Sequence, residues 1–199
     1  DLFAVGGGEQ HDQSWHALTT RVEAPALPWV AQETGTLAGP AVEQFGTWTD
    51  RWGRERGDAP AYLTGIRRAS LDAPAAWTWP SGLPEGDAVR LTLVPLGGPA
   101  EVAMGQGWTP VALEPKLDVV MVRRTVPAGT PSRFLTLLEA YQQTPVIEGV
   151  RVVSESPLVL EVRVAGGVEE VTVVVPPGPS RPTAHRPLGV RVRSRRGDD

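Results

Sequence analysis

Within the run Asp87 to Pro95, the apolar residues Val89, Leu91 and Leu93 occupy alternate positions with Arg90 and Thr92 between them. Successive side chains of an extended strand point to opposite faces, so this spacing buries one face and leaves the other wet. Leu158, Leu160, Val162 and Val164 repeat the pattern against Glu161 and Arg163. Gly166-Gly167, between two β-branched runs, predicts a two-residue hairpin turn.

The same reading extends over much of the chain. Further strands are predicted at the opening Asp1-Leu2-Phe3-Ala4-Val5, then at Tyr62 to Leu71, Ala75 to Trp79, Glu101 to Gln106, Leu117 to Val126, Ile147 to Ser154, Val168 to Val175 and Leu188 to Val192. Ser132 to Tyr141 could pass for a helix, but it is short, lacks a helical stop signal and sits among strands; a strand over Arg133 to Tyr141 is the better reading. Residues 25–60 show little periodicity and predict a long irregular excursion packed by Trp29, Trp48 and Trp52. Many consecutive antiparallel strands must bury one face, and two stacked sheets are the usual solution at this length. The expected fold is therefore all-β, an antiparallel multi-stranded β-sandwich over residues 1–180, followed by a terminal strand and a basic, mobile tail over 181–199.

Composition narrows the function classes. The 22 Gly and 20 Pro fall between apolar runs, as turns do in a many-stranded protein. A net charge of -4 argues against nucleic acid as a partner, because affinity for phosphate backbones needs massed Lys and Arg. The one basic cluster, Arg191, Arg193, Arg195 and Arg196, is terminal and reads as a solvated tail. With no Cys, disulfides and thiolate metal sites are excluded. No apolar stretch approaches the roughly 20 residues that span a bilayer, so no membrane partner is expected. The chain opens inside a strand, without Met or a signal-peptide pattern, which is the expectation for a fragment of something larger.

Polar chemistry concentrates in Gly6-Gly7-Gly8-Glu9-Gln10-His11-Asp12-Gln13-Ser14-Trp15-His16, which holds two of the three histidines. The glycines predict a tight turn or bulge rather than a phosphate loop, since no helix follows them. In an extended segment His11, Gln13 and Trp15 would share one face, and Asp12, Ser14 and His16 the other. The histidines would then not converge on a metal, while Asp12 could orient His16. A Ser14, His16 and Asp12 triad can be written, but residues in immediate succession rarely supply one. By residue type alone, His11 and His16 read as buried groups bonded to neighbouring loops. Trp77 and Trp79 share a face of their strand and suit either a sugar-stacking platform or a core, with the core favoured. Trp108 is a candidate for a rim, and Tyr62 and Tyr141 are the only phenols, neither with a visible partner.

The opening, Asp1 to His16, resembles a motif of the heparinase II/III-like polysaccharide lyases, in which an aspartate-led strand runs into paired glycines and then a His-Asp, aromatic and His run. Leu117 to Arg124 and Arg133 to Tyr141 are similar to late sandwich strands of that family, so the resemblance spans residues 1–175. Gln13 stands where the family usually has Tyr or Trp. The resemblance implies a parent that joins an N-terminal helical toroid to a C-terminal β-sandwich and cleaves uronate-containing polysaccharide by β-elimination. It implies an extracellular or periplasmic, bacterial setting, a polysaccharide partner, and a toroid that this chain lacks. It places most catalytic groups in that toroid, so the sandwich portion is expected to complete the glycan cleft and to be inactive alone. The zinc of complete family members is held by two histidines and an aspartate outside the matching segment; no cofactor or metal ligand is carried over to this chain. For His11, Asp12 and His16 the resemblance implies a supporting role at the cleft wall. The competing expectation is a stand-alone carbohydrate-binding or structural sandwich, motivated by Trp77, Trp79 and Trp108.

Overall fold

The computed structural model describes residues 1–17, 21–50, 53–57, 59–81, 86–107, 116–174 and 189–195. The strands in chain order are β1 (Leu2–Val5), β2 (Gln10–His16), β3 (Val30–Ala31), β4 (Trp48–Thr49), β5 (Glu55–Arg56), β6 (Thr64–Leu71), β7 (Ala75–Pro80) and β8 (Asp87–Val94). They continue with β9 (Ala100–Gly107), β10 (Leu117–Thr125), β11 (Ser132–Gln142), β12 (Ile147–Glu155), β13 (Leu158–Val164), β14 (Gly167–Val174) and β15 (Gly189–Arg195). A short 3-10 turn, Ala59–Tyr62, precedes β6. The all-β expectation holds, and the ambiguous segment at 132–142 is a strand.

Three main sheets form, all antiparallel. The first has the order β1-β11-β8-β7, the second β2-β10-β9-β6-β3 and the third β12-β13-β14-β15; β4 and β5 pair by themselves. The opening motif thus crosses from one sheet to another. β1 pairs with β11 in the first sheet, Gly7 and Gly8 turn the chain at φ of 91° and 75°, and β2 pairs with β10 in the second.

One core cluster draws on both of these sheets. Leu71, Val102, Met104, Val120 and Val122 of the second meet Trp77, Trp79, Leu91, Leu93 and Phe134 of the first. These are the same-parity positions of their strands, so the alternation seen in the sequence is the signature of this shared interior. Burying the tryptophans here answers the platform question: Trp77 is 0% and Trp79 3% exposed, so neither presents a face on which a sugar ring could stack.

The third sheet departs from the two-layer expectation. Leu158, Leu160 and Val162 of β13 form a second cluster with Val94, Leu96 and Leu135, on the opposite side of the first sheet. The alternation in β8 accordingly gives way at its end to a continuous buried run, Leu91-Thr92-Leu93-Val94, because that end is covered on both faces. A polar clasp holds the added layer. Glu139 of β11 pairs with Arg90 of β8 at 2.8 Å and accepts hydrogen bonds from the backbone N–H groups of Val146 and Ile147, while Arg90 also donates to the Ile147 carbonyl.

Two local expectations shift. The hairpin turn is Ala165-Gly166 rather than Gly166-Gly167: Gly167 already pairs with Val164, and Gly166 takes the left-handed corner at φ 90°. The terminal strand expected at Leu188 to Val192 is β15, which runs on through Arg195 of the basic cluster, with Arg193 in register with Glu170 of β14, which offers it an opposite charge across the ladder. In the irregular excursion, Leu37 packs with Ile66, Ala103 and Met121 on the outer face of the second sheet, and Trp29 packs against the first core cluster. Trp52 and Trp108 lie outside the described residues.

Candidate functional site

The strand at 10–16 presents its residues as its parity dictates. His11 is buried, Gln13 and Trp15 are half-buried, and Asp12, Ser14 and His16 are exposed on the other face. Extended geometry therefore separates the two histidines, as expected. What each residue touches differs from the catalytic options.

His11 is only 4% exposed, and both ring nitrogens are engaged. Nδ1 lies 2.8 Å from the Ser132 hydroxyl and Nε2 lies 2.5 Å from the Gly7 carbonyl. A carbonyl can only accept, so Nε2 carries a proton; in the neutral ring Nδ1 then accepts from Ser132. The ring ties the glycine turn and the second sheet to the first residue of β11 in the first sheet. Nothing in that arrangement leaves a lone pair for substrate.

Asp12 does not orient His16. It sits in register with Arg123 of β10, which donates from Nε and Nη2 at 2.8 and 2.9 Å. Glu101 of β9 follows in the same register, 4.0 Å from Arg123, and Arg68 of β6 reaches Glu101 at 2.6 Å. Asp12, Arg123, Glu101 and Arg68 make an alternating charge row across four strands on the solvent side of the second sheet. Burial would lower the Arg123 guanidinium, but the hydrogen bond and charge of Asp12, with Glu101 beyond, hold it above its ordinary value. The fork on Asp12 also removes the acid from any triad with Ser14 and His16. His16 makes no hydrogen bond or ion pair among the described residues. Of the two phenols, Tyr62 donates to the Gly57 carbonyl at 3.3 Å. No group of three or more His, Asp or Glu converges among the described residues.

A concave site lies elsewhere, in residues that motif reading passed over. A groove of about 650 Å³ opens between the second sheet and the segment 21–25. That segment is fixed at both sides: Glu23 and Thr78 of β7 exchange backbone hydrogen bonds at 2.8 and 3.0 Å, and the Val22 N–H donates to Asp118 at 2.9 Å. Gln106 donates to the other oxygen of Asp118 at 3.2 Å. Across the groove, the guanidinium carbon of Arg67 stands 5.0 Å from the centre of a Trp29 ring, and its Nη2 lies 3.4 Å from the Met104 sulfur. Trp29 is itself anchored by its N–H to the Pro25 carbonyl at 3.1 Å.

A bulge sets the direction of Arg67. Thr64 pairs with Gln106 but Arg67 pairs with Met104, so three residues on β6 are spanned by two on β9. The extra residue is accommodated at Gly65, whose φ of 62° falls where residues with a Cβ are disfavoured. Without the added residue, Arg67 would fall opposite Ala103 and point to the outer face. The lone glycine in a strand-like run was the signal available in the sequence for this bulge.

The groove thus brings together the guanidiniums of Arg67 and Arg21, an indole, a primary amide and the carboxylates of Asp118 and Glu23. Donors and acceptors around an aromatic ring suit a polyhydroxylated ligand. Among the described residues, its lining holds no histidine, serine or tyrosine to pair with those carboxylates in proton transfer. Searches against family models and curated proteins give no match for this chain.

Proposed function

We propose that the first and second sheets are the two layers of a β-sandwich, and that this sandwich is the C-terminal portion of a heparinase II/III-like polysaccharide lyase, supplying one wall of a glycan cleft and inactive by itself. The core cluster shared by the two sheets supports the sandwich. The groove lined by Trp29, Arg67, Gln106 and Asp118 carries the functional reading, because it combines an aromatic ring with convergent polar groups. The opening motif supports the lyase origin through its residue pattern alone, with His11 and Asp12 acting as framework. A zinc site is proposed only for the complete parent, and the extracellular or periplasmic setting follows from the same resemblance.

The reading is tested with the chain itself. Uronate oligosaccharides are titrated by calorimetry, and the same mixtures are followed for the ultraviolet absorbance of unsaturated uronate. The expected result is binding with no absorbance gain. Enone formation by this chain would overturn the accessory role; absence of binding to any uronate or neutral oligosaccharide would overturn the cleft wall.

The second reading, a stand-alone carbohydrate-binding module, draws on the same groove. Its original motive, a Trp77 and Trp79 platform, loses support because both rings are in the core.

A further inference from the structure

We infer that Arg67 is a carboxylate-recognition residue, which makes the groove selective for acidic over neutral sugars; the inference rests on the groove being the glycan site. The guanidinium keeps partners that are not carboxylates. Arg56, Arg68, Arg90, Arg123, Arg133 and Arg151 each hold a carboxylate within 3.0 Å. Buried Arg124 donates instead to the Gly97 and Gly98 carbonyls at 3.0 and 3.2 Å. Arg67 has a sulfur and an indole, and no ion pair among the described residues.

Sulfur is a weak acceptor and the indole offers the guanidinium a ring face rather than an anionic acceptor, so its N–H groups keep most of their hydrogen-bonding capacity. A planar fork is matched best by a planar anion with two oxygens, which a sugar carboxylate supplies. The site is also oriented in advance. The Arg67 guanidinium lies over the Trp29 ring, the Pro25 carbonyl anchors Trp29, and the Gly65 bulge turns Arg67 into the groove rather than onto the charge row outside. Orientation of this kind reduces the ordering cost of binding. Asp118 and Gln106, on the neighbouring strands β10 and β9 of the same sheet, offer acceptors to ring hydroxyls while disfavouring a second anion beside the first.

The test compares one uronate oligosaccharide with its carboxyl-reduced counterpart, which keeps the ring and hydroxyls but lacks the charge. The wild-type chain is expected to bind the acid about tenfold or more tightly than the reduced form, the scale of a charge-assisted bidentate contact. Arg67→Gln should remove that preference, read as the ratio of the two affinities in the same variant, with Arg67→Lys restoring part of it. Far-ultraviolet circular dichroism and urea midpoints check that both variants fold. Equal affinity of the wild type for the two sugars, or an acid preference that survives in Arg67→Gln, would overturn the role of Arg67. Failure of both sugars to bind would instead overturn the groove as the glycan site, and with it this inference.

Discussion

Replacing His11 by Ala separates a framework role from a ligand role more sharply than any other change in the opening motif. The ring is 4% exposed and bridges the Ser132 hydroxyl, itself on a residue 2% exposed, and the Gly7 carbonyl on an exposed turn. Removing it leaves the Ser132 hydroxyl without its partner where water does not reach, at about 1–3 kcal/mol, whereas the Gly7 carbonyl can rehydrate at little cost. Lost packing of the ring adds to this, so the expected destabilisation is about 2–4 kcal/mol in urea unfolding. A His11→Ala and Ser132→Ala cycle should be non-additive, with the double variant less destabilised than the sum by about 1 kcal/mol, because the hydroxyl is no longer stranded. Glycan affinity should stay within about twofold of wild type, since the ring makes no part of the groove. A variant of unchanged stability that loses glycan binding would refute this reasoning and return His11 to the substrate.

Two other perturbations test the architecture. Trp77→Ala removes a fully buried ring from the cluster shared by the first two sheets and should cost about 3–5 kcal/mol in urea unfolding without weakening glycan binding; binding lost at unchanged stability would contradict its place in the core. Glu139→Ala strands Arg90 and two backbone N–H groups at the clasp under the third sheet, and should cost about 2–4 kcal/mol with faster amide hydrogen exchange across β12; unchanged exchange there would show that apolar packing alone holds that layer.

The strands were legible because their cause is local. A period of two in Leu91 and Leu93, or in Leu158, Leu160 and Val162, follows from burying one side of an extended chain, whatever lies against it, although Val89 of the same pattern is exposed near the start of β8. The opposed faces of His11 and His16 came from the same rule and hold in the structure. Turn position was less secure: Gly166 is the corner, but one residue of register moves Gly167 into the ladder.

Which sheet a strand joins depends on partners far away in the chain, and single-strand periodicity carries no record of them. β1 and β2, four residues apart, enter different sheets, and the β12 to β15 meander forms a layer of its own because the first sheet offers an apolar outer face in Val94 and Leu135. The same limit applies to the chemistry. Asp12 lies two residues from Ser14 and four from His16, yet its charge is claimed by Arg123, 111 residues away, because antiparallel register places them opposite each other. Arg67 and Trp29 appear unremarkable as isolated letters. Only a bulge of one residue and the docking of segment 21–25 make them into one side of a groove, since a side chain's direction and neighbours are properties of the assembled sheets. The sequence by itself determined that the chain folds into strands and which faces of them are apolar; tertiary structure decided which polar residues stay open to a ligand, because that depends on which charges long-range register has already paired.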